Sequence, residues 1–190
     1  MKFTSVLALS LASVAYADFS VLFKTQAGDF TVEVHEDWAP IGAARFKQLI
    51  EDKFFDNSAF FRYVPNFVVQ WGIAAEPSVN NKYGNITDDP INPKVSNIAG
   101  TMAYAMDEDP NTRTTQVYVN FANNSRLDPK GFTPFAMVTS GLDVLQNKVY
   151  SGYGQDPDQD KIYAEGEAYL KREFPLLTHI TSATFVHPNC

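Results

Sequence analysis

From Phe19 onward the chain alternates in hydrophobicity. Val21 and Phe23 fall on one parity and Phe30, Val32 and Val34 on another, with Gln26-Ala27-Gly28-Asp29 between them. Alternation broken by a short polar, glycine-containing segment predicts a β-hairpin. After Trp38-Ala39-Pro40 the spacing lengthens: Ala43, Ala44, Phe46, Leu49 and Ile50 recur every three or four residues. That period predicts a helix over about 40–53, with Pro40 in its first turn, where a missing N–H costs nothing. Asp56-Asn57-Ser58 reads as a turn, and Phe60–Tyr63 and Phe67–Gln70 as two short strands split by Pro65-Asn66. A polar stretch from Glu76 to Asn97 reads as a long surface loop, and loops of that length are often functional. Further strands are expected at Thr101–Ala105, Gln116–Phe121, Phe135–Val138 and His179–Phe185. A second amphipathic helix is expected at Leu142–Val149, and a short third one at Gly166–Phe174.

Many short strands with few helices argue for an all-β barrel or sandwich rather than repeated βαβ units. The 190 residues, 45% hydrophobic and 14% aromatic, suffice for one substantial core, so a single domain over 18–190 is expected. Ahead of it, residues 1–17 have the form of a secretory signal peptide: Lys2, an apolar stretch from Phe3 to Val14, and the small-residue exit Ala15-Tyr16-Ala17. The apolar stretch is shorter than the roughly 20 residues that span a bilayer. A protein of the secretory pathway or the exterior, without stable membrane insertion, is therefore expected. A net charge of −7 and a pI near 4.9 argue against nucleic acid as a partner. Cys190 is the only cysteine, so no internal disulfide can form and the core must hold alone. Asn85-Ile86-Thr87 and Asn123-Asn124-Ser125 are glycosylation sequons.

The run Phe60-Phe61-Arg62-Tyr63-Val64-Pro65-Asn66-Phe67-Val68-Val69-Gln70 resembles the signature of the cyclophilins, Phe-His-Arg followed after a short connection by Phe-Met-x-Gln. Gly100-Thr101-Met102-Ala103, the segment Asn111 to Val119, Leu127-Asp128 and Phe132-Thr133-Pro134-Phe135 follow in the family's order. The resemblance covers roughly Phe19 to Phe185. It implies a closed eight-stranded antiparallel β-barrel capped by two α-helices, with a groove on its outer face for a proline-containing peptide. The activity it implies is peptidyl-prolyl cis/trans isomerisation by a monomer. The segment around Gly152-Tyr153-Gly154 and Pro157-Asp158-Gln159 looks like an insertion before the final strand, the mark of a divergent branch.

Rotation about an X-Pro bond breaks amide resonance, a barrier of about 18–20 kcal/mol, and makes no new covalent bond. A catalyst needs a pocket for the proline ring and a donor that favours the twisted amide over both planar forms. By the resemblance Arg62 is that donor: its guanidinium stays charged and can reach the prolyl nitrogen as the lone pair localises. Gln70 matches the glutamine that orients the arginine or the substrate carbonyl. Phe67, Val68, Tyr118, Leu127 and Phe132 match the proline pocket, and Ala103 and Gln116 match the groove beside it. For each aromatic taken singly, core packing is the alternative. Neither metal nor cofactor is expected, since twisting an amide needs no Lewis acid. Asp156, Asp158, Asp160 and Glu167 have the spacing of an EF-hand loop, but Lys161 stands where that loop needs glycine, so a solvated acidic insertion is the expected reading.

The chain departs from the family pattern at several positions. Phe61 replaces the signature histidine, Val68 the methionine and Tyr118 a phenylalanine, which points to a reshaped pocket. A tyrosine hydroxyl in an apolar cleft requires a partner. Tyr104 stands in for a groove asparagine. Arg126 takes the place of the tryptophan that contacts cyclosporin, so weak or absent cyclosporin binding is expected. The rival reading is a cyclophilin-like module that binds proline segments and isomerises poorly.

Overall fold

The computed structural model describes residues 17–186. The expected leader over 1–17, apart from Ala17, and Cys190 lie outside the described residues. Eight strands form one antiparallel sheet: β1 (Phe19–Thr25), β2 (Phe30–Val34), β3 (Arg62–Val64), β4 (Val68–Trp71), β5 (Thr101–Tyr104), β6 (Val117–Asn120), β7 (Ala136–Ser140) and β8 (Ile180–Val186). Their spatial order is β3-β4-β6-β5-β7-β2-β1-β8. Helix α1 (Pro40–Glu51) and helix α3 (Leu142–Asn147) stand where periodicity places them.

The sheet curls into an open half-barrel, not the closed barrel expected. No ladder joins β3 to β8; the segment before β3 meets the start of β8 through the isolated bridge Ala59↔His179 and the backbone bonds beside it, which link Asn57 and Ser58 to Ile180 and Phe60 to Thr178. The reason lies at the free edge of β3, where Tyr63 N–H donates to the Gly154 carbonyl at 2.8 Å. The segment after α3 thus covers an edge that would otherwise template pairing with another strand.

Strand alternation divides the sheet into two faces. Val69, Trp71, Met102, Tyr104, Val117 and Val119 turn inward to the main core. There Phe46 of α1 packs against Phe23, Phe55 and Phe135. Tyr104 is therefore a core residue and not part of the groove; its hydroxyl donates to the Gly42 carbonyl of α1 at 3.1 Å, and its ring tilts against Phe135. The N-terminus of α1 has no local side-chain cap. Asp89, 48 residues further on from Ile41, supplies one, accepting from the Ile41 and Gly42 amides at 2.8 Å each. Arg113 in turn donates to Asp89 at 3.0 Å and pairs with Asp88, so a buried ion cluster ties the long loop to the helix.

The sequence missed three short elements. Helix α2 (Pro77–Asn80) interrupts the segment read as loop, the 3-10 helix Ser125–Lys130 lies in a stretch without periodic signal, and helix α4 (Gln159–Glu165) precedes α5 (Glu167–Glu173), the third helix that was expected. Helix α4 starts because the Asp158 carboxylate accepts from the Asp160 and Lys161 amides, so the acidic run there begins a helix. A second apolar cluster of Phe61, Ile73, Ile162, Tyr169, Leu170 and Leu177 seats both helices against the sheet. Among the described residues no helix is long and apolar enough to cross a membrane.

Candidate active site

The outward face of β4, β6 and β5 carries a third apolar cluster, separate from both cores. Val68, Ala103 and Tyr118 are buried there, with Phe67, Ala105, Leu127 and Phe132 packed around them. Register explains why residues so distant in sequence meet. Arg62 pairs with Gln70, Gln70 with Tyr118 and Tyr118 with Ala103, one row across four neighbouring strands. A groove of about 510 Å³ runs along this row.

Polar side chains form a continuous chain along the groove wall. Arg62 Nη1 donates to Gln70 Oε1 at 2.9 Å, and Gln70 Nε2 donates to Gln116 Oε1 at 2.7 Å. Gln116 Nε2 donates to the Tyr163 hydroxyl at 3.0 Å, and Arg62 Nε donates to Gln155 Oε1 at 2.8 Å. Partial burial draws the Arg62 pKa down from the ordinary arginine value. A guanidinium starts so far above neutrality that it stays charged, and poorer solvation strengthens its pull on a nearby lone pair. The guanidinium also lies 5.9 Å over the Phe67 ring.

A buried amide sits beneath the pocket. Asn97 is fully buried; its Oδ1 accepts from the Tyr118 hydroxyl at 2.9 Å and from Asn120 Nδ2 at 3.0 Å. Its Nδ2 donates to Asp128 Oδ1 at 2.8 Å and to the Phe132 carbonyl at 2.7 Å. The tyrosine that needed a partner has one, and the bond turns its hydroxyl away from the apolar floor. Burial pushes the Tyr118 hydroxyl well above the ordinary phenol range, so it stays neutral. Asp128 also accepts from Ser96 Oγ and from the Asn97 amide. Burial works to raise the Asp128 pKa, but these hydrogen bonds outweigh it and hold the carboxylate below its usual range. The carboxylate thereby fixes the 3-10 helix that carries Leu127. Gly131 ends that helix at φ 88°, a conformation glycine reaches without strain, and Phe132 follows it into the pocket. Gly72 serves the other wall. A Cβ there would meet the Thr115 carbonyl oxygen at 2.4 Å, so only glycine lets the segment leading into β6 approach the end of β4.

The structure brings together Arg62, Phe67, Val68, Gln70, Gln116, Tyr118, Leu127 and Phe132 at the groove surface. Ala103 lies beneath it, fully buried, while Ala105 and Met106 line the groove in its stead. Parity carried that signal, since Ala105 lies two residues beyond Ala103 on the same face. Phe61 does not reshape the pocket: it lies instead in the cluster that seats helices α4 and α5. Arg126 stacks on the outer side of Phe67, its guanidinium 4.7 Å from the ring centroid. Asn97, Gln155 and Tyr163 were not foreseen; each is an ordinary polar residue in a segment with no periodicity. The carboxylates of the EF-hand-like spacing are engaged apart from one another. Asp158 caps α4, and Glu167 bonds His179 at 3.0 Å and lies 3.7 Å from Lys171. Among the described residues no acidic, histidine or cysteine cluster forms a metal site.

Comparison with known proteins agrees with this arrangement. The family model for cyclophilin type peptidyl-prolyl cis-trans isomerases matches residues 20–165. A peptidyl-prolyl cis-trans isomerase of Acinetobacter baylyi is 30% identical over 164 residues, 80% of this chain and 85% of the relative. A peptidyl-prolyl cis-trans isomerase-like 1 protein of Aspergillus fumigatus is 32% identical over 131 residues, 66% of this chain and 79% of its own. Among solved structures, a Cryptosporidium parvum cyclophilin type isomerase superposes with a TM-score of 0.67 at 19% identity, covering 92% of this chain and all of that one. The same protein solved in the presence of the dipeptide Ala-Pro gives 0.65 at 20% identity, covering 90% and 99%. At that identity the superposition speaks for the fold alone. The sequence match over most of the chain speaks for descent, and this chain belongs to the cyclophilin-type peptidyl-prolyl cis-trans isomerase family.

Proposed function

We propose that this protein accelerates cis/trans isomerisation of X-Pro bonds in proline-containing polypeptides and so assists their folding, with Arg62 as the catalytic residue. The observation that carries the reading is a charged donor held beside an apolar, outward-facing pocket. Two acceptors engage Arg62, Gln155 at Nε and Gln70 at Nη1, which leaves the N–H groups of Nη2 for a ligand. The proline ring fills the space over Val68 and Tyr118, with Phe67, Leu127 and Phe132 as walls that exclude water. As the amide twists, its nitrogen lone pair localises and accepts from Arg62. That bond is absent in both planar forms, so it lowers the barrier without holding either ground state. The Ala-Pro dipeptide present with the Cryptosporidium parvum protein supports a proline segment as the ligand.

Exchange spectroscopy on an Ala-Pro-containing peptide with catalytic amounts of the protein tests the activity. Cross-peaks between cis and trans forms, absent without protein, are the expected result. Peptide binding without exchange would favour the binding-module reading. The proposed setting is the secretory pathway or the exterior, reached through cleavage of residues 1–17 in a divergent, secreted, monomeric member of the family. N-terminal sequencing of the exported protein should begin at Asp18.

A further inference from the structure

The segment between α3 and β8 supplies both ends of the polar chain along the groove. We propose that Gln155 and Tyr163 are positioning residues for the isomerisation, holding Arg62 and Gln116 in their working orientations. The proposal rests on the isomerase reading of the groove.

Backbone pairing places Gln155. The Tyr63 amide donates to the Gly154 carbonyl on the free edge of β3, so residue 155 arrives beside the neighbouring Arg62. Gln155 Oε1 then takes the Arg62 Nε–H at 2.8 Å, while Gln70 takes Nη1 from another side. A guanidinium bonded at Nε and at one terminal nitrogen can neither rotate about its last bond nor tilt out of its plane. With one acceptor alone it could do both.

Tyr163 anchors the far end of the remaining bonds. A side-chain amide can present either its oxygen or its nitrogen to a neighbour, and Arg62 requires oxygen. Gln70 therefore turns Oε1 to Arg62 and Nε2 to Gln116 Oε1, and Gln116 Nε2 is left to donate to the Tyr163 hydroxyl, which ends the chain. The donor-only guanidinium thus sets both amide orientations, and the hydroxyl, able to donate or accept, holds the far end of the series in place. Helix α4 can bear this role because its other face is anchored: Ile162, the preceding residue, is buried in the cluster around Phe61, Tyr169 and Leu170. The side chain of Gln155 meets Arg62 at the exposed edge of the groove, so its truncation leaves the core intact.

The test compares the intact protein with Gln155→Ala, Gln155→Glu and Tyr163→Phe, using exchange of the Ala-Pro-containing peptide and the Arg62 Nε–H signal in nitrogen-edited NMR. Loss of the Gln155 acceptor should lower kcat about tenfold, with KM changed less than about twofold. Glutamate, which keeps an oxygen at the same reach, should restore kcat to within about threefold of the starting protein. Tyr163→Phe should lower kcat by at least about threefold, again without a matching rise in KM. The Arg62 Nε–H should exchange faster with water in Gln155→Ala than in the parent or in Gln155→Glu. An unchanged Nε–H signal in Gln155→Ala, or unchanged kcat in both Gln155→Ala and Tyr163→Phe, would overturn the proposal. A parent protein that protects the Nε–H through Gln155 yet exchanges no peptide would overturn the isomerase reading while upholding the clamp on Arg62.

Discussion

Arg62 and Gln70 are register partners on β3 and β4, and the 2.9 Å bond between Nη1 and Oε1 runs across the ladder rather than along a strand. Strand pairing therefore sets the position of the guanidinium, and the pocket residues Val68 and Tyr118 belong to the same rigid face. Gln70→Leu removes the acceptor and breaks the link to Gln116. It should lower kcat/KM by about 10- to 100-fold, the size expected when a hydrogen bond to a charged group is lost. Steady-state isomerase kinetics check this, with circular dichroism to verify the fold.

Asp128 sets a pH limit. Its carboxylate is held below the usual range, so it binds a proton less readily in the folded protein than in the unfolded chain. The stability it contributes is fully present above the ordinary aspartate value near about 3.9 and is lost as pH falls through the depressed folded value. Urea unfolding across a pH series should show Asp128→Asn less stable than the parent near neutrality. The gap should narrow as the medium is acidified below about pH 4.

Arg113 and Asp89 form a buried pair that also caps α1. Arg113→Met leaves the Asp89 carboxylate buried without its counter-charge, a change that typically costs about 3–5 kcal/mol. Denaturant unfolding should show a loss of that order. A loss under about 1 kcal/mol would mean that the helix amides alone satisfy Asp89.

Cyclosporin should bind weakly or not at all if, as the family resemblance implies, Arg126 takes the place of the tryptophan that contacts the drug; here it stacks on Phe67. Isothermal titration calorimetry on the parent and on Arg126→Trp checks this. The substitution should tighten binding by at least about tenfold, about 1.4 kcal/mol from an added aromatic contact and its N–H donor.

The strands, α1 and the pocket residues Val68, Tyr118, Leu127 and Phe132 were legible because each carries a local signal: alternation, helical spacing, or a motif in register with its neighbours. Three features were not. Closure of the barrel depends on what occupies the edge of β3, and Gly154 reaches it from 91 residues away, a relationship with no local trace. Tyr104 and Ala105 are adjacent in a short apolar run, so a shift of one residue exchanged core for groove. Asn97 resembles every other asparagine of its loop until the fold buries it. Phe61 shows the opposite limit: read as a change in the pocket, it is a packing residue for helices whose own periodicity was only partly visible.

The most direct test of the central claim is protease-coupled isomerisation of an X-Pro peptide by the parent protein and by Arg62→Ala, with folding matched by circular dichroism and thermal melting. In Arg62→Ala kcat/KM should fall at least about 100-fold, with the peptide still bound in the apolar pocket. Activity retained within about threefold in Arg62→Ala would show that the twisted amide is stabilised elsewhere and would contradict the account.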